Sequence, residues 1–597
     1  MAVRSAGWRG DAGAAFVMAV VWVVLAMIVY PAGDFPLNDD WSYGRTVKIL
    51  VEEHRFHLDG WSSPTFAFQA LWGALFCQVF GFSFTALRIS TLVLGVAGVI
   101  GLYYLLREVS VRRQWAVIGS LALMLNPVYF VNSFSFMTDV PFTVLVILAS
   151  LFMVRALKSG SGRDELIGFV LLLCATLIRQ LTPPIALAYG LAALAGRKFT
   201  WRGLARAMYP TAGVLAVYVV YKTGMAALGM TPSLQGAQQQ EAMWRIAQLG
   251  YLVYARFVFA NIYTCIAYLS VFVLPLSVVF ACTLLVRGRA AGEGPPARSG
   301  WVLAPLAILG AFALYVVNDR NFFFMGNSLD RSLSVGDCDL HHCPVLQYLY
   351  GLAPLAHGAA AAAYFAVLMS GCFVLAAVRS GRPRRATLQS YEFRVALFAF
   401  LACIGTTAPF ALIKMVDRYL LPAVPFAILL FTALGTLMFR GGQAAVEAPV
   451  PRNSVVLSLA LPALGLLGFV SVVGTHDRFE WNRARWRALS DLMQQRKAAP
   501  EDIDGGFPFT GWYLYDKDET LRRRWKYWYT LPVPFFARDT TYLVEFTVKG
   551  AVWAGCEGLT VATYPFSAWM LPRRLEVQVV QRNVDAVRSA GCGAGPP

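Results

Sequence analysis

Asp34-Phe35-Pro36-Leu37-Asn38-Asp39-Asp40-Trp41 follows directly on an uncharged run from Ala14 to Gly33, and this junction decides the fold. The run supplies the roughly 20 apolar residues that a bilayer core asks of one helix. Three carboxylates then arrive where that helix should leave the membrane. Phe35, Pro36 and Trp41 beside them are residue types that collect at the interface. Two readings of the acidic cluster stay open: Asn38 or Asp39 caps a helix that starts at Trp41, or a carboxylate is held at the membrane surface for chemistry.

Composition places the whole chain in the same class. Of its 597 residues 57% are hydrophobic and only 14% charged, and the mean hydropathy is +0.55. Several further runs are long enough to span, which makes this a polytopic helical membrane protein. The net charge of +17 sits mostly in short clusters between apolar runs. That is the signature of cytoplasmic loops and argues against nucleic acid as a partner. Only Arg4 and Arg9 precede the first run and no small-x-small site follows it, so it reads as a retained anchor. The ten Cys form no CxxC pair and no zinc spacing.

Residues 34–85 form the first outer loop, with one or two amphipathic helices lying on the membrane surface. Spans then follow at 86–106, 115–131, 140–154, 166–178, 181–195, 207–228, 262–286, 301–318, 352–378, 393–412, 419–439 and 455–473, about thirteen with the first. Placing the N-terminus inside puts Arg107/Arg112/Arg113, Arg155/Lys158/Arg163, Arg197/Lys198/Arg202/Arg206, Arg287/Arg289/Arg298 and Arg379/Arg382/Arg384/Arg385 all on the cytoplasmic side. The opening acidic stretch, Asp139, Asp417 and the C-terminal tail are then outside. From about Thr475 charge and aromatics rise. A helix-like part (Phe479 to Gln495) gives way to alternating runs such as Tyr542–Lys549 and Leu575–Arg582. The division is therefore a membrane domain, 1–474, and a small mixed α/β extracytoplasmic domain, 475–597, whose Arg522–Trp528 cluster suits head groups and open solvent equally.

Asp139, in Thr138-Asp139-Val140-Pro141, brings another carboxylate to the outer side, again at a position where a helix cap is natural. Arg179 stands at the outer end of a short span, and Lys414, Asp417 and Arg418 gather just ahead of Tyr419. Taken singly, such bases snorkel to the interface; gathered on one face with carboxylates, they suit an anionic lipid. A lipid-linked phosphate presents its charge at head-group depth, where Arg and Lys can hold it. An acceptor hydroxyl needs a general base, which a carboxylate in a water-poor cleft supplies. Paired carboxylates could also hold a divalent cation against the phosphate.

Here the residues resemble a family. Asn38-Asp39-Asp40-Trp41-Ser42-Tyr43 is similar to the acidic first-loop motif of the GT-C membrane glycosyltransferases. The nearest branch holds protein O-mannosyltransferases (glycosyltransferase family 39), lipid A aminoarabinose transferases and bacterial Rgt-type relatives. Ser63-Pro64, Gly81-Phe82-Ser83 and Ala86-Leu87-Arg88 fit the sequence that follows, and Thr138-Asp139 resembles the second acidic position. Asp417-Arg418-Tyr419-Leu420-Leu421-Pro422 resembles the Arg-Tyr-x-x-Pro element. The likeness covers residues 1 to about 440. It implies an all-α GT-C fold and inverting transfer from a polyprenyl-phosphate sugar, with no nucleotide, to a lipid, glycan or protein hydroxyl outside a bacterial inner membrane. Carried over, Asp39 aligns with the catalytic Asp and Asp40 stands where many members have Glu, which leaves open which of the two is the base; Asp39 is the first choice and Asp40 the second. Asp139 supports a metal or orients the acceptor, and Arg179, Lys414, Arg418 and Tyr419 bind the donor phosphate. Asp417 is expected to orient Arg418.

Three Asp-x-Asp strings (337–339, 502–504, 516–518) lack a nucleotide-binding β/α surround and read as chance. Cys338 and Cys343 around His341-His342 suit a short-loop disulfide better than a metal site. Two rival functions remain: a transporter, which would place its charged site at the midplane, and a non-catalytic component of envelope polysaccharide assembly, which would tolerate loss of Asp39 and Asp40.

Overall fold

The computed structural model describes residues 2–109, 111–195, 200–232, 250–277, 390–413, 416–440, 453–515, 541–547, 558–570 and 574–582, with isolated residues such as Ser328 and Leu329 besides. Helix α1 (Ala2–Val29) leads to the outer loop, which folds into α2 (Asp40–Glu52) and α3 (Phe68–Phe80). Next come α4 (Phe84–Glu108), α5 (Arg113–Met124), α6 (Pro127–Ser133) and α7 (Asp139–Ser159). Helices α8 (Gly162–Thr176), α9 (Pro183–Leu194), α10 (Trp201–Ala227) and α11 (Tyr251–Phe272) continue the bundle. After α12 (Tyr391–Ile413), a 3₁₀ turn (Asp417–Ala423) runs straight into α13 (Val424–Arg440), and α14 (Asn453–Gln494) leads into the tail.

Among the described residues, eight helical stretches are long and apolar enough to cross a membrane, or nine if one bent pair is a single span. The expected count of about thirteen is not established by them; spans 301–318 and 352–378 lie outside the described residues. Differences elsewhere have local causes. The expected span 115–131 is broken, because Asn126 caps a new helix with Pro127 at its first position, and α5 and α6 meet at 61°. The span expected at 262–286 begins earlier, at Tyr251. Spans 166–178 and 181–195 are the short helices α8 and α9, parted by the corner at 177–182. The helix of the last span, expected at 455–473, does not stop near Thr475. It is 42 residues long in all (Asn453–Gln494) and continues past that point, as no Gly or Pro interrupts the chain between Gly474 and Gln494.

Small residues set the packing where side chains cannot pass. A Cβ on Gly95 would lie 2.7 Å from the Trp22 ring, and one on Gly98 would lie 2.5 Å from the Tyr129 hydroxyl. The glycines let Trp22 donate to the Leu92 carbonyl at 3.1 Å and Tyr129 to the Gly95 carbonyl at 2.6 Å, which satisfies both polar tips inside the bundle. At one end of the bundle Asp11 pairs with Arg107 (3.1 Å) and Arg113 (3.2 Å), and Glu108 pairs with Arg155 (2.8 Å). At the other end Asp34 accepts from the Phe84 N–H that opens α4, at 2.8 Å. Among the described residues, the basic ends carrying Arg107, Arg113 and Arg155 and the acidic loop are thus at opposite ends.

The tail adds β1 (Ile503–Asp504), α15 (Phe507–Leu514), β2 (Tyr542–Thr547), β3 (Gly558–Ser567) and β4 (Arg574–Arg582). They form a sheet of order β1-β2-β4-β3, with β1 parallel to β2 and the other pairs antiparallel. Val544, Val577 and Val579 on one face of this sheet join Leu489 and Leu492 of α14 in one apolar cluster. The tail also reaches the outer loop: Trp41 of α2 is fully buried and clusters with Trp61, Phe507 and Tyr515. Arg45 fastens the contact by donating to Asp59 and to the Gly511 and Trp512 carbonyls.

Candidate active site

Arg88, fully buried in α4, shapes the acidic stretch. Its guanidinium donates to the Pro31, Gly33 and Phe35 carbonyls and stacks on the Phe35 ring, 4.7 Å from its centroid. That fan of bonds folds the chain back over the end of α1. Asp40 then closes the turn: its Oδ1 accepts from the backbone N–H groups of Leu37 (2.8 Å) and Asn38 (2.7 Å). Asp40 is fully buried. Burial pushes its carboxyl above the ordinary carboxylate range, against the opposing pull of the Asn38 bond and the Arg88 charge. The sequence paired Asp40 with Asp39 as a second base; in the structure it is a buried brace of the loop.

Asp39 occupies the N-cap position of α2, yet its side chain makes no capping bond. Oδ1 accepts from the Trp61 indole N–H at 2.8 Å, and Oδ2 from Arg418 Nη2 at 2.8 Å. Thr138 repeats the pattern at the start of α7, where it too caps nothing and instead accepts from Arg179 Nε at 2.8 Å. Both openings of the sequence could be read as helix caps, and in both the side chain is turned to another partner.

Four charged groups meet as a result. Arg179 comes from the corner after α8 and places Nη1 2.9 Å from Asp139 Oδ1, a close ion contact that lacks hydrogen-bond alignment. Arg418, on the 3₁₀ turn, spans both carboxylates, with Nη1 3.5 Å from Asp139 Oδ2. Tyr419 lies beneath both guanidinium groups, 5.6 Å from Arg179 and 5.5 Å from Arg418, and its ring stacks on Phe410 at 4.4 Å. Two guanidinium and two carboxylate groups compensate each other, as groups so removed from water must. Exposure separates the two acids: the Asp139 side chain is 0% exposed and that of Asp39 14%, so Asp39 is the carboxylate a reactant can reach.

The structure brings together Asp39, Asp139, Arg179, Arg418 and Tyr419; Lys414 and the Cys338–Cys343 segment lie outside the described residues. Asp417, expected to orient Arg418, interacts with that residue and also accepts from the backbone N–H groups of Ser328 (2.9 Å) and Leu329 (2.6 Å). Two members were not named from sequence. Trp61 holds Asp39 through its indole, and Tyr43, stacked on Phe66 at 4.6 Å, lies within the field of the cluster. Burial and the Asp39 and Asp139 charges push the Tyr43 phenol upward, offset by Arg418 and Arg179. Trp61 is partly buried, and its indole N–H needs an acceptor there, a demand that only the folded structure shows.

As placed, each oxygen of Asp39 and Asp139 already faces an indole or guanidinium. Among the described residues no three His, Cys, Asp or Glu side chains gather as metal ligands. This donor set fits a divalent cation poorly.

Residues 66–226 match the family described as dolichyl-phosphate-mannose-protein mannosyltransferase. The matched stretch contains Asp139 and Arg179 and ends before Arg418. No curated protein matches the chain. Among solved structures it is similar to ArnT from Cupriavidus metallidurans bound to undecaprenyl phosphate, at 14% identity and a TM-score of 0.43, over 97% of this chain and 99% of that one. The apo state of ArnT from Cupriavidus metallidurans gives 14% identity and a TM-score of 0.34, over 98% and 100%. Residues 66–226 are thus similar to the dolichyl-phosphate-mannose-protein mannosyltransferase family, within a chain whose described helices make it a polytopic membrane protein.

Proposed function

We propose that this chain transfers a glycosyl group from a polyprenyl-phosphate-linked sugar to an acceptor hydroxyl at the outer surface of a bacterial cytoplasmic membrane, with inversion. The observation that carries the reading is the meeting of Asp39, Asp139, Arg179 and Arg418 at the outer-loop end of the bundle, with Asp39 the accessible acid. The family match supports the chemistry, since that family is described by a polyprenyl-phosphate sugar.

The reaction assigns each group one task. The acceptor oxygen attacks the anomeric carbon, the bond from that carbon to the phosphate oxygen breaks, and the polyprenyl phosphate leaves with the electron pair. Asp39 takes the hydroxyl proton. Arg418 and Arg179 hold the phosphate, Arg418 with the planar fork that suits it. In the present geometry Arg418 is engaged by Asp39. An arriving phosphate competes for that guanidinium and leaves one Asp39 oxygen for the acceptor, while Trp61 keeps the other in place. Asp139, fully buried, positions Arg179 and Arg418.

Mass spectrometry of envelope glycans and lipids from cells with the protein, without it, and with an Asp39→Asn form at equal abundance tests the reading. One glycosylated species should be absent from the second and third samples. Identical profiles with and without the protein would overturn it.

A further inference from the structure

At the end of the bundle away from the acidic cluster, a groove of about 510 Å³ opens between α5 and α14. Arg112 and Arg113 stand at its mouth, and Val117, Leu121, Leu461 and Leu464 line its walls. Nothing in the proposed reaction uses it. We infer that this groove binds one anionic phospholipid from the leaflet facing the basic loops, with the phosphate on Arg112 and Arg113 and an acyl chain laid between α5 and α14.

Charge selects the head group. The nearby carboxylate, Asp11, is shared by Arg107 at 3.1 Å and Arg113 at 3.2 Å, so one negative charge faces two positive ones. Arg112 adds a third guanidinium; it is exposed, and among the described residues it makes no ion pair. The mouth therefore keeps a positive excess that a phosphodiester can neutralise, as basic pockets between spanning helices do. Depth selects the tail. Leu461 is 58% exposed and lies within the apolar, membrane-crossing part of α14, where the available apolar occupant is a lipid chain. A soluble anion would fill the mouth and leave the walls uncovered. Lower down, Ser471 bonds to the Leu125 carbonyl at 2.8 Å, so the two helices are already joined below the groove and a lipid would seal the part that remains open.

Native mass spectrometry and thermal melting of the full-length protein test this, in detergent with phosphatidylglycerol, phosphatidylcholine or free glycerol phosphate added. The wild type should retain phosphatidylglycerol over phosphatidylcholine and melt at a higher temperature with it. Arg112→Gln should weaken phosphatidylglycerol retention about fivefold, the equivalent of one basic contact near a membrane surface. Leu464→Trp should reduce retention of any lipid by filling the groove. Arg112 is exposed, so its variant decides the matter if Leu464→Trp fails to fold. Equal retention of the two phospholipids, unchanged phosphatidylglycerol retention by Arg112→Gln, or an equal rise in melting temperature with glycerol phosphate would each overturn the assignment.

Discussion

Two adjacent aspartates at the start of α2 make different contacts, Asp39 with Trp61 and Arg418 and Asp40 with the backbone of its own loop, and substitutions that keep their shape separate them. Asp39→Asn preserves size but removes the proton acceptor and sets an amide against Arg418. Turnover should fall on the order of 10²–10⁴-fold if Asp39 is the base, with abundance and melting temperature little changed, as measured by transfer from a defined lipid-linked donor in nanodiscs. Asp40→Asn keeps a carbonyl oxygen for the Leu37 and Asn38 N–H groups and should stay active. Its signature is in stability. Because burial holds the Asp40 carboxyl above its ordinary range, the folded chain binds that proton more readily than the unfolded one. The resulting stabilisation is complete below the unfolded value and is lost as pH rises through the folded one. Melting curves of wild type and Asp40→Asn should therefore diverge toward neutral pH in favour of Asn. An inactive Asp40→Asn beside an active Asp39→Asn would reverse the two assignments.

The elements were legible in proportion to how far each signal is local. Long apolar runs stood out and gave α1, α4, α7 and α12 near their true positions. Averaged hydropathy passes over an Asn-Pro pair, so the break between α5 and α6 was read as one span. Hydropathy also falls near Thr475 while the helix continues, because it reports surroundings and not backbone geometry. Charges beside apolar runs are conspicuous, which made Asp39, Asp139, Arg179 and Arg418 visible. An indole in a polar loop is not, so Trp61 was missed, and so were the bonds of Asp417 to Ser328 and Leu329, which are remote from it in sequence. At this scale the 3₁₀ turn carries the sharpest expectation, since it delivers Arg418 and Tyr419 together. Arg418→Lys keeps the charge but loses the fork, and should raise the donor KM. Arg418→Ala should raise it further and lower kcat as well, because the bridge between Asp39 and Asp139 goes too. Kinetics with donor and acceptor varied separately can tell: a rise confined to the acceptor KM would remove Arg418 from the phosphate site and favour Arg179.

At the scale of the molecule, the tail is part of the outer loop's foundation. The basic cluster that surrounds Gly381 in the sequence, and the docking of the tail on the acidic outer loop, predict that reporter fusions at Gly381 and Gly505 report opposite sides, cytoplasmic and external; the same side for both would refute the topology. The docking itself can be tested at one glycine. Gly511 of α15 sits against the Trp41 ring, and a Cβ there would lie 2.4–2.6 Å from the indole. Trp41 is fully buried among Trp61, Phe507 and Tyr515, so the ring has no free space to yield into. Gly511→Ala should therefore displace Trp41, and with it Trp61, whose indole holds Asp39. Overpacking of this kind costs about 1–3 kcal/mol, and turnover should fall as well, although no charged group has changed. Trp41→Phe alone should also destabilise, by leaving a cavity. If steric contact is the cause, the smaller ring makes room for the added methyl, and the double variant should be more stable than the sum of the two single losses. Melting temperature and turnover measured across all four proteins give that coupling directly. Additive losses would mean that the tail does not hold the outer loop through this contact.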